Sequence, residues 1–179
     1  MKIFVFSDIH GRKTVMERIK NIIDLEKPDR IFFLGDFLYN GPRNGVPADY
    51  DGMAVANMVR PYLSNSLFVK GNCDAAVDDT VLGVRLPKRV EITLSKHRCV
   101  LAHGDDLDPS FLDLKEGDIF FSGHTHVWVL KKENGVTYVN PGSPSFPKEN
   151  AEPSFASFSE KKIAILRLRD CSEIASMDI

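Results

Sequence analysis

The sequence contains little that would send the chain to a membrane, into a secretory route or into a covalent framework. Its three cysteines, Cys73, Cys99 and Cys171, are odd in number, far apart and in no CxxC arrangement. That pattern argues against a disulfide scaffold and against a thiolate zinc site. No run of residues is apolar and long enough to span a bilayer, so no membrane partner is expected. The opening Met1-Lys2-Ile3-Phe4-Val5-Phe6-Ser7-Asp8 has one basic residue and then a short apolar stretch that meets a carboxylate. It does not read as a signal peptide, and a cytoplasmic protein is expected. Charge of one sign is scarce as well. The 23 Lys and Arg against 25 Asp and Glu leave a net charge of −2, with no basic block to form an electrostatic footprint. Long nucleic acid is therefore not an expected partner, and any anion must be held by local groups. Internal repeats, low-complexity tracts and Gly/Ser linkers are missing too, which favours a single domain over 1–179.

What is present is ordinary in bulk and unusual in arrangement. Apolar residues make up 43% and charged residues 27% of 179 positions, enough for a substantial core in a water-soluble protein. Five short apolar runs, each of strand length, end abruptly in polar residues. Ile3 to Phe6 precedes Asp8 and His10, Ile31 to Leu34 precedes Asp36, and Leu67 to Val69 precedes Asn72. Cys99 to Ala102 precedes His103, and Ile119 to Phe121 precedes His124 and His126. Amphipathic helices are predicted over Thr14 to Glu26 and Asp51 to Leu63, between the first three runs. Strand, helix, strand, helix, strand is the order of parallel βαβ units.

In the second half, Arg89 to Leu94, Val127 to Lys131, Thr137 to Val139, Ser154 to Phe158 and Lys162 to Leu168 read as strands joined by short turns. Antiparallel pairing is expected there, and Asn134-Gly135 is a hairpin turn signal. The halves together predict an α/β fold of two packed mixed sheets flanked by helices, with the polar strand ends gathered at one edge. Open α/β sheets bind their ligands at the carboxyl ends of strands.

Each polar motif has a bland meaning when taken alone. Asp8-Ile9-His10 reads as a turn, Gly35-Asp36 as a strand end, and Gly71-Asn72 as a turn with a left-handed asparagine. Their co-occurrence changes the weighing. Four of the five histidines stand in these motifs, and only His97, in Ser95-Lys96-His97-Arg98, reads as a surface residue. If the strand ends share one edge, Asp8, His10, Asp36, Asn72, His103, His124 and His126 become candidate metal ligands. An oxygen and imidazole set without thiolate suits a hard or borderline divalent ion.

The order of these motifs resembles the calcineurin-like metallophosphoesterase superfamily, which runs D-x-H, G-D, G-N-H-(D/E), H and G-H-x-H. Here they read Ser7-Asp8-Ile9-His10-Gly11, Leu34-Gly35-Asp36, Gly71-Asn72-Cys73-Asp74, His103-Gly104 and Gly123-His124-Thr125-His126, and Asn140-Pro141-Gly142-Ser143 is similar to a turn beside the family's metal site. Gly41-Pro42-Arg43-Asn44 and the cysteine at 73 look most like the bacterial YfcE-type phosphodiesterases. The resemblance implies a four-layer αββα fold and two divalent ions. One would be bound by Asp8, His10, Asp36 and His126, the second by Asp36, Asn72, His103 and His124, with Asp36 as the bridge. Manganese is the expected metal, with iron, zinc or nickel as alternatives.

The implied activity is hydrolysis of small phosphodiesters by a hydroxide that bridges the two ions, with His10, Asp36 and Asn72 in the catalytic part. Arg43 is a candidate phosphate clamp and Cys73 a candidate substrate contact, although a small apolar filler is the plainer reading of Cys73. Two rivals stand beside this. The retromer subunit family uses the same fold as a catalytically silent scaffold, and such relatives lose ligands, whereas all seven positions are filled here. A nuclease would want a basic groove, and the acidic stretch Asp105 to Asp108 argues against one. The physiological substrate and the oligomeric state, a homo-oligomer included, are open at this point.

Overall fold

Alternate residues of the N-terminal strand enter two different cores in the computed structural model, which describes residues 1–106 and 112–179. In β1 (Lys2–Phe6), Phe4 and Phe6 face one core while Ile3 and Val5 face the other. The strand β2 (Arg30–Phe33) repeats this, with Ile31 and Phe33 opposite Phe32. Strands apolar on both faces belong to a sheet covered on both sides, which is why these runs read as nearly continuous hydrophobics. With β3 (Ser66–Phe68), the strands β1 and β2 form parallel pairs. The connections are α1 (Lys13–Glu26) and α2 (Gly52–Val59), and α3 (Ala76–Leu82) follows β3.

The second half supplies β4 (Arg89–Leu94), β5 (His97–Ala102), β6 (Ile119–Phe121), β7 (Trp128–Glu133) and β8 (Val136–Pro141). It also supplies β9 (Ser154–Ser159), β10 (Lys162–Arg167) and β11 (Glu173–Asp178). Two mixed sheets result, in the orders β11-β10-β9-β1-β2-β3 and β4-β5-β6-β8-β7. Helix residues such as Met16, Ile19, Val55 and Leu82 pack on Phe4, Phe6 and Phe33 outside the six-stranded sheet. Between the sheets lie Ile3, Val5, Phe32, Leu101, Phe121 and Ile165. Beyond the five-stranded sheet, Leu112 and Leu114 pack on Val100 and Phe120.

Two expectations need adjustment. The helix over Asp51 to Leu63 ends at Val59 and passes into a 3₁₀ turn, Arg60–Asn65, because Pro61 has no N–H to donate and its ring blocks the preceding carbonyl. Antiparallel pairing in the second half holds for β4 with β5, for β9 with β10, for β10 with β11, and for β7 with β8, whose turn is Asn134-Gly135 with φ of 50° and 77°. The strands β5, β6 and β8 instead run parallel, and β9 to β11 return to extend the first sheet. The candidate ligands therefore sit at strand ends of two packed sheets that meet at one edge, in agreement with the sequence pattern.

Candidate metal centre

All seven candidate ligands lie at the carboxyl edge of the two sheets, on the loops after β1, β2, β3, β5 and β6. Short backbone bonds tie the loops together: Asp8 N–H to the Gly35 carbonyl at 3.1 Å, His10 N–H to Asp36 at 2.8 Å, and Gly123 N–H to His103 at 2.9 Å. Five of the seven residues, Asp8, His10, Asp36, His124 and His126, have φ between 52° and 67°. Left-handed backbone at residues with a Cβ costs about 1 to 3 kcal/mol each and persists only where the surroundings impose it. The surroundings here include two close approaches. A Cβ on Gly71 would lie 2.2 Å from Asp36 Oδ1, and one on Gly123 would lie 1.9 Å from Ser7 Oγ. The Gly residues of the motifs are thus places where one loop touches the next.

The atoms inside the ring of loops form two overlapping groups. In the first, the Nε2 atoms of His126 and His10 stand 3.3 Å and 3.8 Å from Asp8 Oδ1. In the second, Asn72 Oδ1 is 3.1 Å from His103 Nε2 and 2.9 Å from His124 Nδ1. Asp36 joins them, because its Oδ2 lies 3.7 Å from His10 Nε2 and 3.5 Å from His103 Nε2. Its Oδ1 is held by the Cys73 N–H at 2.8 Å. Asp8 Oδ2 accepts the His124 N–H at 3.0 Å.

Hydrogen bonds outside the ring fix which imidazole nitrogen faces inward. His10 Nδ1 donates to the Tyr39 carbonyl at 3.0 Å, His126 Nδ1 to Phe146 at 2.7 Å, and His103 Nδ1 to Leu34 at 2.6 Å. Such outer partners set ring orientation and tautomer in metal sites. Burial depresses the pKa of His10 below its ordinary value, against the pull of Asp8, so its inward Nε2 carries a lone pair. That Nε2 lies 3.2 Å from Nε2 of His126. Two nitrogens whose outer partners turn them toward each other repel unless positive charge stands between them. Asp8 is fully buried, and among the described residues its Oδ1 has no hydrogen-bond partner. Leaving such an oxygen unpaired is costly. Cations at the two groups would answer both deficits, so the donor set fits a dinuclear centre.

The calcineurin-like phosphoesterase superfamily domain matches residues 1–162. The chain belongs to that superfamily. Phosphodiesterase YfcE of Escherichia coli strain K12 is 32% identical over 182 residues, covering 100% of this chain and 98% of YfcE. A solved structure of YfcE, described as a phosphoesterase from E. coli, superposes with a TM-score of 0.95 at 31% identity over 100% of both chains. Vacuolar protein sorting 29 from Cryptosporidium parvum shares the fold, with a TM-score of 0.69 at 21% identity, covering 99% of this chain and 97% of that one.

Within this superfamily frame, charge separates the candidate ligands. Burial works to raise the pKa of Asp36, yet His103 and the Cys73 N–H together hold it down to about 2. Burial likewise works against a charged His103, and its hydrogen bond to the Asp36 carboxylate with the charge of Asp8 carries it up to about 9. Burial and the neighbouring His103 lower His124. Without a cation His103 thus holds a second ring proton, beside an Asp36 carboxylate that stays ionised.

Arg43 and Cys73 both line the cavity of about 540 Å³ that opens over the ligands, and the Arg43 side chain is exposed at its rim. Burial and then Asp36 push the Cys73 thiol up to about 12, which supports the filler reading. Asp105 and Asp106 are exposed, Asp106 pairs with Lys88, and Asp108 lies outside the described residues. His97 is half-buried, and its Nδ1 donates to Gly117 at 2.8 Å, so it has a structural partner where a free surface residue was expected.

The motifs concealed some participants. Asp74 accepts N–H groups from Asp36 and Gly71 on one oxygen and from Phe37 on the other, each at 2.8 Å. Ser143 Oγ donates to the Asp8 carbonyl at 2.9 Å, and Asn140 Nδ2 to Gly123 at 2.7 Å, so the Asn-Pro-Gly-Ser turn braces two ligand loops. Lys148 lines the same cavity as Arg43. The turn and Asp74, the last residue of Gly71-Asn72-Cys73-Asp74, had a signal in the sequence, although the bracing role of Asp74 did not. Lys148 is a common residue type with no motif around it.

Proposed function

We propose that the protein is a phosphodiesterase that hydrolyses small phosphodiesters with two divalent cations. The ligands are Asp8, His10, Asp36 and His126 for one ion and Asp36, Asn72, His103 and His124 for the other. One observation carries the reading. His10 and His126 are turned by their outer hydrogen bonds so that their Nε2 atoms meet at 3.2 Å, beside the unpartnered Asp8 Oδ1. Manganese suits this mixture of carboxylate, amide and imidazole donors, with iron, zinc and nickel as alternatives. When bound, such ions supply Lewis-acid activation of water and neutralise charge on the phosphoryl oxygens.

The chain's own residues supply positioning and electrostatics. Asp36 places one carboxylate oxygen between both ligand groups, and Asp74 fixes the backbone that carries it. Arg43 and Lys148 bring positive charge to the cavity rim, where a bidentate guanidinium can hold two phosphoryl oxygens. His10 and Asn72 hold their inward atoms fixed against Asp36 and His103. No protein nucleophile is invoked, since Cys73 beside the site keeps its proton. Free thiols at Cys73, Cys99 and Cys171 suit a reducing compartment, and a cytoplasmic setting is part of the proposal.

The test is hydrolysis of an aryl phosphodiester before and after chelation, with separate metals added back. Activity should vanish on chelation and return best with manganese. A scaffold would show neither manganese binding nor turnover, and activity undiminished in excess chelator would end the two-cation reading.

A further inference from the structure

Four of the seven exposed large apolar side chains among the described residues stand along one groove. Tyr39, Tyr50, Met53 and Val77 line a cavity of about 650 Å³ between the loop after β2, the first turn of α2 and the helix α3. Val77 is 61% exposed, Met53 55% and Tyr39 47%, and whereas Met1, Leu25 and Val46 are exposed elsewhere, these side chains share one concavity. Single exposed apolar residues are normal, whereas several in one concavity mark a contact surface. The concavity adjoins the candidate centre, because Tyr39 and Cys73 line both it and the polar cavity over the ligands.

Charge restricts the occupant. No Lys or Arg lines the groove among the described residues, while Asp51 and Asp78 do. Asp51 accepts the Ala54 N–H and Asp78 the Ala75 N–H, each at 2.8 Å, so neither needs a ligand donor. Their charge still disfavours an anion, which speaks against a second phosphate of a continuing polynucleotide. A volume of this size accepts a ring-sized organic group with room to spare.

We propose that the groove seats an aromatic or similarly apolar, uncharged ester arm of the substrate against Tyr39, Tyr50, Met53 and Val77, while the phosphoryl group lies over the candidate ligands. This rests on the phosphodiesterase reading and narrows it to diesters that carry a compact neutral arm. Cys73, a small side chain that lines both cavities, forms the junction between the polar and apolar halves of the site.

The experiment uses phenylphosphonate and methylphosphonate as competitive inhibitors of aryl phosphodiester hydrolysis by the manganese-loaded protein. The two share the phosphoryl group and differ only in the arm. Phenylphosphonate should bind about ten-fold or more tightly, since burying a ring removes far more apolar surface than burying a methyl group. Val77→Asp and Met53→Asp should bring the two inhibition constants together and leave that of methylphosphonate unchanged. In protein labelled with [¹³C-methyl]methionine, the Met53 signal, assigned by its loss in Met53→Leu, should shift with phenylphosphonate and stay fixed with methylphosphonate. Equal inhibition constants in the wild type would overturn the proposal and leave the phosphodiesterase reading standing. So would an assembly that Val77→Asp dissociates in sedimentation without altering the inhibition ratio, since the groove would then be a contact between copies. Absence of hydrolysis would defeat the phosphodiesterase reading instead, and an unmoved Met53 signal would then overturn the groove as well.

Discussion

Asp74 holds three backbone N–H groups from two loops, yet it touches none of the inward-facing ligand atoms. Burial raises its pKa, and the donors from Gly71, Phe37 and Asp36 work against that rise. Asp74→Asn would turn one acceptor into a donor facing an N–H. With hydrogen bonds to a charged group worth about 1.5 to 3 kcal/mol, we expect a loss of about 2 kcal/mol in chemical denaturation. Manganese affinity should fall as well, because Asp36 is anchored through this carboxylate. Unchanged stability would show that the three bonds are replaceable. At His103 the expectation concerns a proton. Its pKa of about 9 leaves the metal-free ring charged at neutral pH, and a cation must displace that proton. Titration calorimetry at about pH 7.5 in buffers of different ionisation enthalpy should report about one proton released as metal binds. Asp36, held near 2, should contribute none.

At the level of elements, the glycines of the motifs act through the neighbouring loop. Gly71→Ala would set a methyl carbon 2.2 Å from Asp36 Oδ1 and 2.5 Å from its backbone nitrogen. We expect that variant to fold and to lose most metal binding, as read by calorimetry. Retention of both ions would show that the loops have slack. The same comparison explains what was legible beforehand. Ile3 to Phe6 and Ile31 to Leu34 are recognisable because a doubly covered strand needs apolar residues on both faces, and the abrupt change at Asp8 and Asp36 marks the edge. The ring of seven candidate ligands followed from that edge. Left-handed φ at His124 and His126 has no local signature, because it is imposed by contacts from Asp8 and Phe146 far away in the chain. The helix α3 has seven residues and shows too little periodicity to read, and β11 alternates weakly because it lies at a sheet edge. Pro61 is the one local signal for the end of α2, and the apolar periodicity that continues to Leu63 masks it.

For the whole molecule, the cations should add stability without creating the fold, since two large apolar cores form independently of the centre. Ions present at about a hundred times their dissociation constant add about 2.7 kcal/mol. Chelation should therefore lower the melting temperature by several degrees while a cooperative transition remains, and loss of all cooperativity would contradict the ledger of cores. The metal-free protein should also respond to alkali. The raised His103 pKa contributes stability that is fully present below its ordinary 6.5 and is lost as pH rises through about 9, so the apo melting temperature should fall across that interval.

The order of strands in the larger sheet also governs how the molecule comes into being on the ribosome. The neighbour of β1 on one side is β9, whose partner residues run from Ala156 to Ser159 against Lys2 to Val5. Until that stretch has left the exit tunnel, one flank of the earliest strand has open N–H and C=O groups, at a synthesis rate of about 5 to 20 residues per second. His126 gains its outer acceptor only when Phe146 arrives, and Asp8 its serine brace only with Ser143. The nascent chain thus carries most of its chelating side chains for seconds before they are oriented. Any cation at the candidate centre would meet the complete outer set only after Ser143 and Phe146 have emerged, and until β9 arrives the open flank of β1 is an unpaired sheet edge.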